Sequence, residues 1–208
     1  MPEIKKAGYY YPNQFARITL EAMQEVMGEN GLKGILQIAG LNQLIGNFPP
    51  YNLEKEFDFA DYTAINVAFD EMFGPRGARG LLLRAGRAMF PIFIRPFNAH
   101  GGEPFQGMPL NAKLKIFVPD MANIYSQFSD QISNVYDDGD NKIIYTLERC
   151  PMCWERKTDH AVCFLGQGFL QEALRWVSSG SEFKVDLDTC IAKGDDMGRY
   201  IIYKEPIS

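Results

Sequence analysis

All four cysteines of this 208-residue chain lie between positions 150 and 190. They stand as Cys150-Pro151-Met152-Cys153, then Cys163, then Cys190 shortly before Gly194-Asp195. A Cys-x2-Cys pair on a tight turn presents two thiolates to one ion, and Pro151 stiffens that turn. Four thiolates in a tetrahedron suit zinc or iron, and a closed four-thiolate site leaves no open position for catalysis. The composition gives no other reason for staples, since a chain of this size buries about 70% of its unfolded surface. Close cysteine spacing in a reducing compartment points to metal or redox chemistry rather than disulfides.

The compartment expected is the cytoplasm. No basic, apolar leader opens the sequence. The longest apolar run, Leu81 to Phe97, contains Arg84, Arg87 and Arg95, which argues against a membrane span. A net charge of −5 and a pI near 5.1 argue against a nucleic-acid partner.

Ahead of the cysteines the chain reads as helical. Tyr9-Tyr10-Tyr11-Pro12 is an extended aromatic lead-in, and Asn13 suits an N-cap. Phe15, Ile18, Ala22, Met23 and Val26 recur at helical spacing over 14–27. Gly28 to Gly31 closes that segment, and a second helix is expected over 32–45. Residues 51–58 read as a loop and 59–73 as a third helix. Pro75 suits a first helical turn. In the segment that follows, Gly77, Gly80 and Gly86 alternate with Arg76, Arg79, Arg84 and Arg87. This predicts either close packing on another backbone or a shallow wall for a flat ligand. Residues 97–109 read as a loop and candidate lid, and 110–132 as helix that Pro119 breaks or bends.

The period then changes to that of strands. Val135-Tyr136 and Ile143 to Leu147 flank the turn Asp137-Asp138-Gly139-Asp140-Asn141, a hairpin. Residues 165–177 are helical, 182–188 alternate as a half-exposed strand, and 199–203 form a last strand. The fold class expected is α+β, in one domain over 1–208. A helical part, 1–129, packs on a four-stranded antiparallel sheet in 130–205, with element order β-β-α-β-β.

The reading of Cys150, Cys153, Cys163 and Cys190 as metal ligands competes with unrelated buried thiols, with a redox-active Cys150–Cys153 pair and with an iron–sulfur cluster. Other chemistry finds less support. His100 and His160 are the only histidines, and both fall in expected loops, poor places for a haem ligand. No nucleophile elbow is present. Asp137, Asp138 and Asp140 lack the spaced glutamate of a calcium loop.

Cys150-Pro151-x-Cys153, Cys163-x5-Gly168-Phe169-Leu170 and Cys190-x-Ala192-x-Gly194-Asp195 resemble the 4-vinyl reductase, or hydrocarbon-binding, domain family over about residues 130–205. Tyr11-Pro12-Asn13 and Gly74-x-Arg76-Gly77-Ala78-Arg79-Gly80 are similar to its stand-alone members. The resemblance implies a fold shared with vesicle-tethering TRAPP subunits and haem-based nitric oxide sensors. It also implies kinship with the effector-sensing domains of phenol-responsive transcription activators, which bind zinc through cysteines. Two of those ligands match Cys163 and Cys190. The other two positions hold Leu187 and Gly198 here, so Cys150 and Cys153 would replace them.

The function expected from this resemblance is binding, sensing or carrying a hydrophobic molecule, such as a tetrapyrrole or an aromatic, in a homodimer. Candidate walls are Phe90, Phe93, Phe97, Phe117, Met121, Tyr125 and Trp176. Arg79, Arg84 and Arg87 are candidates for an acid group. The zinc expected has iron or an iron–sulfur cluster as alternative. Two other functions are weighed: an accessory factor or enzyme in chlorophyll-type vinyl reduction, and a protein-interaction subunit of tethering-like fold. Hydride transfer needs a nicotinamide or flavin site, and no Gly-x-Gly-x-x-Gly follows a strand.

Overall fold

The computed structural model describes residues 5–97, 103–139 and 141–207. The extended lead-in forms strand β1 (Tyr10–Pro12), which pairs antiparallel with β2 (Lys55–Asp58), Tyr10 opposite Asp58 and Tyr11 opposite Phe57. The expected loop at 51–58 is thus half strand. Between them runs helix α1 (Asn13–Ile38), which Gly28 divides by a non-helical φ of 78°. Asn13 does not cap this helix. Pro12 is the cap residue, and Asn13 Nδ2 donates instead to Asn52 Oδ1 at 3.1 Å and Glu56 Oε2 at 2.7 Å, tying the helix start to β2.

The second arm of α1 stops at Ile38, short of the expected Ile45. Gly40 turns left-handed at φ 74°. Leu41 N donates to Leu36 O at 2.8 Å and Gly40 N to Gln37 O at 3.1 Å, the paired bonds of a Schellman motif. A short 3-10 turn, Asn42–Leu44, follows.

Helix α2 (Phe59–Phe93) begins at Asp58, whose carboxylate accepts from Ala60 N at 2.7 Å. Gly74, with φ 66°, divides it, and Pro75 starts the second arm as its position favours. Helix α3 (Glu103–Gln106) is one turn long. Helix α4 (Leu110–Phe128) runs through Pro119 as one helix, the single-helix alternative of the two expected. It ends at Ser129, whose backbone is extended, and Ile132 already belongs to a strand.

The C-terminal part is the expected four-stranded antiparallel sheet. Strands β3 (Ile132–Asp137), β4 (Lys142–Arg149), β5 (Phe183–Thr189) and β6 (Gly198–Pro206) lie in the order β3-β4-β6-β5. Helix α5 (Phe164–Val177) connects β4 to β5. Ile143, Tyr145, Leu147, Phe183, Val185, Tyr200 and Ile202 are buried, while Lys184 and Arg199 are exposed. One face of the sheet therefore meets the core, as the strand periodicity predicts.

The two parts meet where α2 crosses α5. A methyl on Gly86 would fall 2.0 Å from Leu165 O, and one on Gly168 would fall 2.1 Å from Leu83 O. Each glycine makes room for the other helix's backbone. The expected close packing is thus found at Gly86. Gly77 and Gly80 are exposed, and Gly80 has nothing within 4 Å of its would-be methyl. Gly86→Ala or Gly168→Ala should each destabilise the fold by about 1–3 kcal/mol by overpacking. Gly80→Ala should stabilise by up to about 1 kcal/mol through helix propensity. Urea unfolding midpoints check both, and equal effects would contradict the crossing.

Candidate functional site

Three element ends converge on the sulfurs. Cys150 follows β4, and Cys153 N donates to Cys150 O at 3.2 Å, closing the Cys-Pro-Met-Cys turn. Cys163 immediately precedes α5. Cys190 follows β5 and opens a 3-10 turn (Ile191–Lys193); its N–H is held by Asp195 Oδ2 at 2.8 Å. All four are buried free thiols. Cys150, Cys153 and Cys163 Sγ lie within 4.8 Å of one another. Cys150–Cys163 is 3.7 Å, Cys153–Cys163 3.2 Å, Cys153–Cys190 3.7 Å and Cys163–Cys190 3.8 Å. A disulfide needs about 2.05 Å. A tetrahedron with metal–sulfur bonds of about 2.3 Å has edges of about 3.8 Å. Three of these four separations match that edge and the fourth is tighter; Cys190 is close to Cys153 and Cys163, while the mutually close set is Cys150, Cys153 and Cys163.

The electrostatics of the bare cluster are lopsided. Burial pushes the Cys150 thiol up, but hydrogen bonds from Cys153 and Cys163 outweigh this and bring it down to about 5. The Cys163 thiol is driven well up by its bonds to Cys150, Cys153 and Cys190. Cys190 is raised too, chiefly by Cys153. Without a cation the pocket thus favours a thiolate shared among thiols, because like charges at this spacing repel.

Contacts from other elements hold the cluster's backbone. Thr63 of α2 donates to Pro151 O, and Tyr200 of β6 donates to Cys163 O at 2.7 Å. Thr158 N donates to Ala192 O at 2.8 Å, linking the loop after Cys153 to the turn after Cys190. The same loop is locked to α2 by charge. Arg156, with 5% of its side chain exposed, pairs through Nη2 with Asp70 Oδ2 at 2.5 Å. His160 Nε2 reaches the same oxygen at 2.9 Å, and its Nδ1 lies 2.7 Å from Asp159. Asp159 and Asp70 together hold the imidazole above its usual pKa. Sequence reasoning did not find Asp70 or Arg156. They sit 86 positions apart on segments whose pairing no local pattern encodes.

Beside the cluster lies an internal cavity of about 40 Å³. Its lining includes Met152 from between the paired cysteines, Leu165 and Gly166 from just beyond Cys163, and Tyr200. The lining also includes Tyr11, Tyr62, Tyr125 and Tyr145. Tyr11 donates to Gln131 Oε1, and the hydroxyls of Tyr62 and Thr19 are 3.1 Å apart. Cavity and sulfurs thus share a wall.

Of the expected ligand walls, Tyr125 lines this cavity. Phe90, Phe93, Phe117 and Met121 are buried instead in a packed ring cluster. Phe93 stacks on Tyr125 at 5.1 Å, Phe90 meets Phe169 edge-on at 5.4 Å, and Trp176 lies 5.5 Å from Phe117. The side chain of Phe97, and His100, lie outside the described residues. Arg87 is engaged with Glu182 through bonds of 3.1 and 2.8 Å. Arg84 is exposed. Arg79 stacks over Phe164, its guanidinium carbon 5.3 Å from the ring centre. No Arg79, Arg84 or Arg87 contact reaches the cavity.

Asp70→Ala leaves Arg156 as a buried, uncompensated cation, since its Nη1 already lacks a partner. The expected cost is about 3 kcal/mol, read as a lower urea midpoint. An unchanged midpoint would show that this pair does not anchor the loop.

No protein-family profile matches the chain, and no curated protein matches it. Solved structures of H-NOX proteins share its fold. An H-NOX protein from S. oneidensis in the Fe(II)NO ligation state is 13% identical, with a TM-score of 0.59, over 92% of this chain and 98% of that one. A structure probing haem distortion in the H-NOX family gives 11% identity and a TM-score of 0.61 over 95% and 97%. One describing H-NOX activation gives 13% and 0.57 over 95% and 98%. At these identities the likeness is one of fold: the chain adopts the haem NO-binding architecture that the resemblance led one to expect.

Proposed function

We propose that this chain is a small-molecule-binding sensor module whose C-terminal half is clamped by one zinc ion on Cys150, Cys153, Cys163 and Cys190. The observation that carries this reading is the wall shared by the sulfurs and the cavity. The Cys-Pro-Met-Cys turn supplies two sulfurs and the cavity-lining Met152; Tyr200 touches both the cavity and the carbonyl of Cys163. An all-sulfur donor set of this spacing fits zinc, or iron, in a closed site with a structural role. A small ligand entering the cavity presses on the same turn and helix start that the ion fixes.

Among the described residues the cavity beside the sulfurs does not fit a haem. Small-molecule pockets run to about 300–1,000 Å³, against about 40 Å³ here. The space between α2, α4 and α5 is filled by Phe90, Phe93, Phe117, Phe169 and Trp176. His160 is committed to Asp70 and Asp159. The fold is that of haem sensors without their space for a porphyrin. The size of this cavity favours a ligand of only a few heavy atoms over a tetrapyrrole. The same tightness favours a second reading, an interaction subunit of tethering-like fold in the 4-vinyl reductase family, with a second copy as partner.

Native mass spectrometry with metal analysis tests the first reading. We expect about one zinc per chain, no porphyrin mass and no visible absorbance. Cys163→Ser should lose the metal and melt at least about 10 °C lower, a shift equivalent to several kcal/mol in a chain of this length. Metal-free protein with an unchanged melting temperature would overturn the clamp. A brown protein containing iron and sulfide would replace zinc by a cluster.

A further inference from the structure

An open groove of about 450 Å³, sharing no lining residue with the tyrosine-lined cavity, runs between α2, α5, β5 and the loop of His160. Pro75, Arg76 and Arg79 of α2, His160 and Ala161 of the loop, Phe164 and Gln167 of α5, and Asp186 and Leu187 of β5 line it. Its ends differ chemically. Arg76 and Arg79 lie one helical turn apart, both exposed, and no carboxylate is paired with either among the described residues. Arg79 is steadied over the Phe164 ring, so part of the cost of fixing a guanidinium for bidentate bonding is already met.

Gln167 marks the other end. It is 7% exposed. Its Nε2 donates to Val185 O at 2.6 Å, which fixes the amide's orientation and leaves Oε1 as a buried acceptor with no partner. A buried acceptor left open calls for a donor. Between the ends, Phe164, Ala161 and Leu187 offer an apolar floor. Asp186 stands at the rim, paired with Lys184 at 3.0 Å. Its charge, with the chain's net −5, disfavours a dianion such as a phosphomonoester.

We infer that this groove binds a small organic carboxylate carrying an O–H or N–H donor on an apolar body. The carboxylate meets Arg76 and Arg79, the body lies on Phe164, and the donor reaches Gln167 Oε1. Gln167 N also donates to Cys163 O at 3.2 Å, so occupancy braces the helix start that carries a sulfur. This site is separate from the tyrosine-lined cavity and does not depend on it.

The test uses the full chain with 4-hydroxybenzoate as probe, and benzoate and phenol as its two halves. Binding is followed by calorimetry and by backbone amide shifts. 4-Hydroxybenzoate should bind with a dissociation constant of about 1 mM or tighter, moving the signals of residues 76–80 and 160–167. Benzoate and phenol should each bind about tenfold or more weakly. Arg76→Gln/Arg79→Gln, at exposed positions, should fold normally and lose about tenfold or more in affinity. No shift in these signals at about 10 mM probe would overturn the site. So would equal binding of either half-ligand, or equal binding by the double variant. The zinc content of the double variant should be unchanged, which separates failure of this site from failure of the clamp.

Discussion

The structure depends on keeping four sulfurs together inside a protein. Buried thiolates at separations of 3.2–3.8 Å repel one another in a poorly solvating interior, and protonated thiols there give only weak bonds. Under the proposed clamp a divalent cation would reverse the sign of that interaction and tie together the end of β4, the start of α5 and the end of β5. The surrounding bonds serve the same end: Tyr200 to Cys163 O, Asp195 to Cys190 N, and Thr63 to Pro151 O fix the backbone from which each sulfur projects.

The second constraint is the crossing of α2 and α5. Because Gly86 and Gly168 bring backbone against backbone, the helical body sits directly on the helix that Cys163 begins. Little slack is left between the parts, and aromatic rings fill what remains. Tyrosines line the cavity, and the hydroxyls of Tyr11 and Tyr62 meet Gln131 and Thr19. Sulfur cluster, crossing and cavity thus adjoin one another, and on the proposed function a molecule in the cavity would touch Met152, Leu165, Gly166 and Tyr200 at once.

Much of this was legible in the sequence where chemistry is sparse. Cysteines are few and their order is distinctive, so Cys150, Cys153, Cys163 and Cys190 could be grouped before any coordinates, and the strict alternation of Phe183, Val185 and Leu187 gave the strand. Apolar periodicity was less informative. Phe90, Phe117 and Trp176 sit on apolar helix faces that suit a pocket wall or a packed core alike, and in the structure their rings pack on one another. The helix ends slipped at Ile38 and Phe128 because Gly40 and Ser129 act through backbone conformation. Strand β2 escaped because it is short and its pairing, Asp58 with Tyr10 and Phe57 with Tyr11, spans nearly fifty positions. Asp70 with Arg156, and the open acceptor of Gln167, arise only from long-range pairing.

X-ray absorption at the zinc edge of the purified protein tests the central claim most directly. Four sulfur neighbours at about 2.3 Å and no nitrogen or oxygen in the first coordination sphere are the result expected. A sphere containing nitrogen or oxygen, or no bound zinc at all, would contradict it.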